Sequence, residues 1–243
     1  MDEIEVGIVR ALTRYPVKAM PGEDVEEAWL AWHGLEGDRR YAFVRADTRS
    51  DFPWLTIREL PALLGYRPEF AEPGAPEGSG VVVRTPTGRI LDATDPELTA
   101  ELAGLHGGPL HVLRSKRGLF DALPVSVITT ATIGGVGRGV GLTLDPRRFR
   151  PNVLVEPVET GDAPEQGWIG SRLTFGDRPD SARVRIDKAN GRCVVVSTDP
   201  DDGSRDPAVL REIARRRSNL AGVYASTERP GTITLGDVLR LAR

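Results

Sequence analysis

One cysteine, Cys193, is the side chain of this sequence best suited to soft-metal or nucleophilic chemistry. It directly follows Arg192 in the segment Asn-Gly-Arg-Cys-Val-Val-Val-Ser-Thr-Asp-Pro, and the 243 residues contain no second cysteine. A lone thiol cannot form an intrachain disulfide, so Cys193 is either a buried packing residue or the ligand or nucleophile of a site. The cationic neighbour favours the thiolate, which is the form that attacks electrophiles and binds soft metals.

Other polar side chains that could join Cys193 lie where the chain is predicted to turn. Binding residues often occupy such turns because a rigid β scaffold positions them there. Several arginines, one lysine and one asparagine near a thiol would suit a small, multiply charged anion beside a soft electrophile. Taken singly, each is also consistent with an ordinary turn or surface position. These residues are Lys18, Asp38, Arg39, Arg58, Asp121, Arg150, Asn152 and Arg192.

The composition is that of an ordinary globular protein with enough apolar material for a sizeable core. The chain is 40% hydrophobic and 28% charged, with a formal net charge of -3. This balance argues against nucleic acid as a partner, because proteins that bind it usually carry a basic field. Basic residues cluster only locally, at 114–117, 145–150 and 211–217, and the last cluster is predicted to be a solvated helix face.

The sequence also predicts a cytoplasmic protein without a membrane partner. No apolar stretch approaches the roughly 20 residues that span a bilayer. The amino terminus, Met-Asp-Glu-Ile-Glu-Val, is acidic where a secretory signal would be basic. His33, His106 and His111 do not show a metal-ligand spacing, so no zinc site is predicted.

Many short strands with few helices predict an α+β, predominantly β, barrel-like fold. The glycine-rich run at 134–139 lacks the spacing of a dinucleotide-binding loop. Helices are predicted at 59–64, 95–104 and 206–214, and Thr129 or Thr130 caps a helix or turn that reaches the glycines at 134–141. Strands are predicted at residues 4–13, 26–33, 41–45, 80–84, 89–91, 125–128, 152–158, 173–175, 183–186, 193–197 and 232–239.

Several motifs, in this order, resemble those of the MOSC family, named after the carboxy-terminal domain of molybdenum cofactor sulfurase. Tyr-Pro-Val-Lys at 15–18 and Gly-Asp-Arg at 37–39 are similar to the family's amino-terminal β-barrel part. The resemblance implies a MOSC-type β-barrel core at 119–243, an amino-terminal β-barrel-like part at 1–118, and a few short helices. Motifs similar to the core are Phe-Arg-Pro-Asn at 149–152, Trp-Ile-Gly at 168–170, Arg-Cys at 192–193, Asp-Pro at 199–200, Gly-Val-Tyr at 222–224, Pro-Gly at 230–231 and Gly-Asp at 236–237.

The resemblance implies a site for the molybdenum cofactor or a related sulfur-bearing group. Cys193 matches the cysteine that ligates molybdenum in members that reduce N-hydroxylated compounds, and a thiolate is a suitable soft donor. Asp121 would lie near the metal and could relay a proton through water. Pyridoxal phosphate binding is implied only at the level of the family. The implied cofactor-binding residues are Lys18, Arg39, Arg150, Asn152 and Arg192.

The chain departs from the family pattern at a few positions. Ala19 stands where the family usually has serine, and Ala122 and Leu123 replace hydroxyl-bearing residues of some members, so polar contacts are missing there. With one cysteine, a persulfide relay between two thiols of the chain is excluded. The sequence shows no iron–sulfur, flavin or nicotinamide motif, so a reductase would need a separate electron donor.

Three hypotheses therefore remain open from the residues. The first is a molybdenum-dependent reductase of small N-oxygenated compounds with Cys193 on the metal. The second is a sulfur carrier in which Cys193 accepts sulfur from a cysteine desulfurase as a persulfide stabilised by Arg192. The third is a non-catalytic binding module in which Cys193 is structural.

Overall fold

A computed structural model describes residues 3–242 of the chain. Strand-forming segments dominate it, and the longest strand opens the chain. Along that first strand Val6, Val9 and Leu12 are buried while Ile8 and Arg10 face outward; burial departs from a strict period of two because the pairing register shifts between Glu5 and Gly7 and between Val9 and Ala11. The strands are β1 Ile4–Arg14, β2 Glu23–Val25, β3 Glu27–Ala31, β4 Gly34–Leu35, β5 Tyr41–Arg45, β6 Arg67–Phe70, β7 Val81–Arg84, β8 Ile90–Asp92, β9 Leu110–Arg114, β10 Val125–Thr129, β11 Val153–Pro157, β12 Arg172–Phe175, β13 Arg183–Gly191, β14 Leu220–Arg229, β15 Gly231–Thr234 and β16 Val238–Ala242.

Seven of these strands close into a barrel. The order is β11-β10-β14-β13-β12-β16-β1, and β1 also pairs with β11, which closes the ring, while β2 extends β1. Only β10 and β11 run parallel within this ring; the other barrel pairs are antiparallel. The barrel interior is filled by branched and aromatic side chains such as Val127, Val155, Leu173 and Phe175. The α+β, predominantly β prediction is confirmed.

Three smaller sheets build the rest of the amino-terminal part. They are the two-stranded sheet β5-β9 and the three-stranded sheets β6-β7-β8 and β15-β3-β4. The last of these contains strands from both ends of the chain. A separate apolar core lies among these strands and the helix that follows β8, with Met20, Phe43 and Tyr66 fully buried. The amino-terminal strand β1 pairs with β11 and β16, so it is part of the barrel that the carboxy-terminal strands form.

Three α-helices lie within residues 3–242: α1 Pro96–His106, α2 Thr130–Val140 and α3 Pro207–Arg217. Asp95 caps α1, but the helix continues beyond the predicted end at residue 104 and stops before Gly107, which has φ 81°. Residues 59–64 form instead the short 3-10 helix Pro61–Gly65. None of the helices in the described range is long and apolar enough to cross a bilayer.

Helix α2 runs through the glycine-rich segment rather than stopping at it. Thr129 caps the helix by accepting from the Thr132 N–H, as the sequence predicts. A Cβ on Gly137 would lie 2.5 Å from the Leu142 carbonyl oxygen, and one on Gly139 would meet the Glu212 carboxylate. These glycines allow α2 to approach α3 and its own C-terminal turn closely.

Two predicted strands are wrong. Residues 193–197 are not a strand: β13 ends at Gly191, which pairs with the first residue of β14, so later residues lack a strand partner. Val194–Ser197 folds into a 3-10 turn that buries Val196 with Ile213. The single strand at 232–239 is two strands, β15 and β16, separated by a turn in which Gly236 has φ 84°.

Candidate functional site

A cavity of about 640 Å³ lies where the amino-terminal part meets the ends of the barrel strands. The loop after β1, the turn before β5, the loops at 52–58 and 120–123, the turn before β11 and the end of β13 all reach it. The structure thus brings the sequence-predicted residues to one place, except Asp38, which is buried behind the wall. The predicted residues that line the cavity are Lys18, Arg39, Arg58, Asp121, Arg150, Asn152, Arg192 and Cys193.

The lining is strongly basic although the whole chain is acidic. Asp121 is the only carboxylate that lines the cavity in the described structure. Such a surplus of positive charge in a concave site creates a field that attracts anions. The basic side chains are Lys18, Arg39, Arg58, Arg148, Arg150, Lys188 and Arg192.

Three cavity residues have a left-handed backbone although none of them is glycine. Ala19, Arg39 and Arg150 have φ values of 68°, 51° and 50°. Non-glycine residues rarely adopt this region, and strained backbone of this kind clusters at functional sites. The conformations of Arg39 and Arg150 turn the chain just before β5 and β11, at the points where both guanidinium groups enter the cavity.

Tyr15, which sequence analysis did not single out, supports both of these arginines. The Arg39 guanidinium lies 4.7 Å from the Tyr15 ring centroid, and that of Arg150 lies 4.4 Å from it. The Tyr15 hydroxyl donates to the Pro151 carbonyl oxygen at 3.1 Å. Burial raises the pKa of Tyr15 to about 12, so the ring stays neutral and offers its π face to the two cations.

Arg39 is also paired, whereas Arg150 is not. Asp38 forms an ion pair with Arg39, and its other oxygen accepts from the Tyr15 N–H at 2.8 Å. The Arg150 guanidinium makes no hydrogen bond or ion pair with any side chain or carbonyl in residues 3–242, and burial lowers its pKa to about 10. A desolvated guanidinium without a counter-ion favours an incoming anion.

Arg58 and Lys188 are two further cations without a described ion-pair partner, and both are exposed. Arg58 lies 6.0 Å above the Phe52 ring centroid. Lys188 belongs to β13, close to the strand end that leads to the thiol. Together with Arg150 they leave three basic side chains of the cavity available to a ligand.

Lys18 is held by its protein partners. Its Nζ donates to the Leu119 carbonyl oxygen at 2.6 Å and to Asp121 Oδ1 at 2.5 Å, and lies 5.4 Å from the Trp54 ring centroid. Burial lowers the pKa of Lys18, and the neighbouring Asp121 carboxylate opposes this effect. Asp121 is 57% exposed, so a ligand could compete with it for Lys18.

Arg192 and Asn152 are bound to the protein more completely than the sequence suggests. Arg192 donates to the carbonyl oxygens of Ala221 and Phe149 at 2.7 and 2.8 Å, and burial lowers its pKa to about 10. Asn152 Oδ1 accepts from the N–H and hydroxyl of Ser126, and its Nδ2 donates to Thr13. Both side chains therefore position backbone around the cavity.

Cys193 is exposed at the cavity, directly after the anchored Arg192. It is the residue that precedes the Val194–Ser197 turn, so its backbone is fixed on both sides. No cluster of three or more His, Cys, Asp or Glu side chains that could hold a metal occurs in residues 3–242. A metal at this thiol would take its other ligands from a cofactor or from water.

Glu165 is a second residue that the sequence did not reveal. It is fully buried, and its carboxylate accepts from the hydroxyls of Thr129 and Thr132 and from the Gly222 N–H. Gly222 needs its left-handed φ of 79°, and a Cβ there would lie 3.0 Å from the Arg192 guanidinium. Glu165 thus fixes the strand whose Ala221 carbonyl holds Arg192.

Comparison with known proteins covers both parts of the chain. Residues 105–240 match the MOSC domain, and residues 6–105 match the MOSC N-terminal beta barrel domain. Human mitochondrial amidoxime-reducing component 1 is 25% identical over 134 residues, which are 50% of this chain and 37% of that protein. The chain thus matches well under half of that relative's length.

One solved structure shows the same architecture at low sequence identity. The YUAD protein from Bacillus subtilis is 14% identical and superposes with a TM-score of 0.53 over 99% of this chain and 97% of that one. YiiM from Geobacillus stearothermophilus is 15% identical, with a TM-score of 0.38 over 49% of this chain and 54% of that one. The first likeness supports the fold described above.

Proposed function

The chain belongs to the MOSC family, and we propose that its basic cavity binds a molybdenum cofactor with Cys193 as the protein ligand to the metal. The reaction proposed is the reduction of small N-oxygenated compounds. The observation that carries this proposal is the unpaired, desolvated Arg150 guanidinium in the same cavity as an exposed thiol. The human relative that matches half of the chain is named an amidoxime-reducing component, which agrees with this substrate class.

The residues present fit a phosphorylated, metal-bearing group. Arg58, Arg150 and Lys188 offer charge that no described carboxylate neutralises, which a phosphate would satisfy. Ala19 has no hydroxyl where the family usually has serine. Contacts to the phosphate would therefore come from the guanidinium groups. The thiolate of Cys193 is a soft donor suited to molybdenum.

Each residue then has a separate part in the proposed reaction. Arg150 and Arg39 would bind the phosphate, oriented by their contacts with the Tyr15 ring. Asp121, hydrogen-bonded to Lys18 and partly exposed, would hold or release a proton at its carboxylate. When bound, the cofactor supplies the two-electron chemistry, and cleavage of each N–O bond with two protons releases water.

Sulfur carriage is the second candidate, since Cys193 is exposed and follows a cationic residue. A persulfide on Cys193 would need an accessible thiol and a nearby positive charge. It would not need the further unpaired cations of the cavity, and Arg192 already donates to two carbonyl oxygens. The charge distribution therefore favours the phosphorylated cofactor.

The partners and compartment remain predictions. A small-molecule substrate and a separate electron-donor protein go with the reductase, and a cysteine desulfurase goes with sulfur carriage. Cytoplasmic location, and the absence of nucleic-acid and membrane partners, follow from the sequence expectations alone. Pyridoxal phosphate binding is a family-level expectation that no feature of the cavity distinguishes from binding of another phosphorylated group.

The experiment that tests the proposal is elemental analysis for molybdenum on protein purified from a host that makes the cofactor. We expect near-stoichiometric molybdenum in the parent and loss of the metal in Cys193→Ser. Arg150→Gln should reduce the metal content, whereas Arg10→Gln, on the outer face of β1, should leave it unchanged. Absence of metal from the parent would refute the proposal, and formation of a persulfide on Cys193 with a desulfurase would then establish sulfur carriage.

A further inference from the structure

The basic segment at 114–117 is not part of the cavity described above. Arg114 is the last residue of β9 and pairs with Tyr41, the first residue of β5. Arg114, Lys116 and Arg117 are all exposed, and none forms an ion pair with a described residue. Exposed cations that lie together without counter-ions raise the local positive potential.

Arg114 and Lys116 border a second cavity, of about 500 Å³. The loop before β7 forms its opposite wall through Glu77 and Ser79, and Arg40 lies at its inner side. The side chains of Arg40, Arg114 and Lys116 contribute three positive charges, against one negative charge from Glu77. The second cavity is therefore basic, like the first.

Arg40 is the buried member of this group. Its side chain is 8% exposed, and its guanidinium donates to the Lys116 carbonyl oxygen and to Glu77 at 3.2 Å. Its Nε is buried and has no partner among the described residues. Glu77 is 62% exposed, so it compensates the buried charge only weakly. An anion in the cavity would complete this compensation.

Arg114 provides an accessible counterpart. Its guanidinium lies 5.5 Å from the Tyr41 ring centroid, which orients it beside the cavity without using its hydrogen-bond donors. The N–H groups of a guanidinium match the oxygens of a phosphate or carboxylate in a bidentate geometry. Arg40 and Arg114 thus present an inner and an outer cation to the same space.

We propose that this second cavity is a binding site for a small oxyanion of the phosphate-monoester class. The rings of Tyr41 and Phe70 are 2% and 3% exposed, so they offer no free face on which a nucleobase could stack. The ligand is recognised through its charged oxygens, by Arg40 from within and by Arg114 and Lys116 from the surface. This site is separate from the proposed cofactor site and does not involve Cys193.

The two cavities share a wall. Arg39 lines the first cavity and Arg40 lines the second. The segment 115–121 also passes from one side of this wall to the other, since Ser115 and Lys116 line the second cavity and Asp121 lines the first. Main-chain bonds from Ser115 N–H to Arg40 and from Leu119 N–H to Arg39 join the two segments.

The test is a titration of the ¹⁵N-labelled full chain with inorganic phosphate, followed by two-dimensional NMR. The chain carries Arg58→Gln and Arg150→Gln, so that binding in the first cavity is weakened. We expect saturable shifts of the Ser79, Ser115 and Lys116 amides. Addition of Arg114→Gln should weaken this binding by about tenfold, the loss expected for one charge-assisted bidentate contact.

The matched control is Arg84→Gln, an exposed arginine of β7 that removes the same charge from the same part of the chain. It should leave the phosphate affinity within about twofold, since long-range screened charge contributes little. Shifts that do not saturate, or that Arg114→Gln and Arg84→Gln reduce equally, would show a diffuse charge effect and overturn the proposal. Because Arg114 is exposed, its substitution is not expected to prevent folding.

Discussion

Arg192 on one wall of the first cavity is held differently from Lys18 and Arg39 on the other wall. On the carboxy-terminal wall, the Arg192 guanidinium donates to two backbone carbonyl oxygens and lies 5.4 Å from the Phe149 ring centroid. On the amino-terminal wall, Lys18 and Arg39 are paired with the carboxylates of Asp121 and Asp38. Arg192 thus has neutral partners that belong to the fold, whereas Lys18 and Arg39 have anionic partners, as does Arg148, which also lines the carboxy-terminal wall and pairs with Asp199.

The difference separates a cation that positions the backbone from cations whose counter-ion a ligand can replace. A ligand anion cannot replace a backbone carbonyl without unfolding the segment that carries it, so Arg192 keeps the neighbouring Cys193 in place. An exposed carboxylate such as Asp121 can be replaced by a ligand phosphate with little change in charge. We therefore expect the thiol side to be preformed and the lysine side to rearrange its contacts when an anion binds.

The largest effect should come from breaking the fixed wall. Arg192→Leu leaves the Ala221 and Phe149 carbonyl oxygens without their donor, and we expect a loss of about 3 kcal/mol in the free energy of unfolding. Urea denaturation measures this loss. Arg185→Leu, at an exposed position of β13, the strand that ends just before Arg192, should stay within about 0.5 kcal/mol of the parent. A loss of stability below about 0.5 kcal/mol for Arg192→Leu would remove the distinction between the walls.

A smaller effect is expected at the unpaired cation. Arg150→Gln should lower the affinity for pyrophosphate about tenfold, because it removes a desolvated charge-assisted contact. Its free energy of unfolding should be unchanged or up to about 1 kcal/mol higher, since a buried charge without a counter-ion is removed. Calorimetric titration in the Arg114→Gln background restricts the readout to the first cavity. Unchanged affinity would show that Arg150 does not contact the ligand.

The smallest effect concerns the exchangeable pair. Burial holds the pKa of Lys18 below its ordinary value of 10.5, and the Asp121 carboxylate raises it, so Asp121→Asn should lower the pKa of Lys18 further. Titration of the Lys18 ¹³Cε resonance measures this shift directly. The unfavourable contribution of the buried charge to stability is complete below the folded-state pKa and disappears as the pH rises through it towards 10.5.

Glu59→Gln is the matched control for this titration, because Glu59 is a carboxylate of the amino-terminal part that pairs with Arg45 and not with Lys18. It should leave the pKa of Lys18 unchanged. A Lys18 pKa that is equal in the parent and in Asp121→Asn would show that the pair contributes little in solution. The amino-terminal wall would then lack the exchangeable counter-ion that distinguishes it from the other wall.

Much of the site was predictable because its residues lie next to turn signals. Lys18, Arg39 and Arg150 each follow a proline, glycine or aromatic turn motif in the sequence, and the structure brings all three to one cavity. Barrel strands such as β1 were predictable from their content of apolar and β-branched residues. The long strand β14 was missed although Ala221, Val223 and Ala225 are buried at every second position, because Gly222 interrupts the apolar pattern.

The remaining features depend on contacts between distant segments. Tyr15 and Arg150 are far apart in sequence, and stacking between them leaves no local pattern. Arg192 donates to backbone carbonyls, which every residue type supplies, so its anchoring role has no sequence signature. The valines after Cys193 have strand propensity, but a strand needs a neighbour, and the fold provides none beyond Gly191.

The adjacency of Arg39 and Arg40 limits how this sequence can diverge. Because consecutive residues serve cavities on opposite sides of one wall, an insertion or deletion between Asp38 and Tyr41 would displace both guanidinium groups at once. Substitution of either arginine would alter one cavity alone. We therefore expect few insertions or deletions in this turn among descendants of the gene. The loop at 71–80 borders only the second cavity and should tolerate them better.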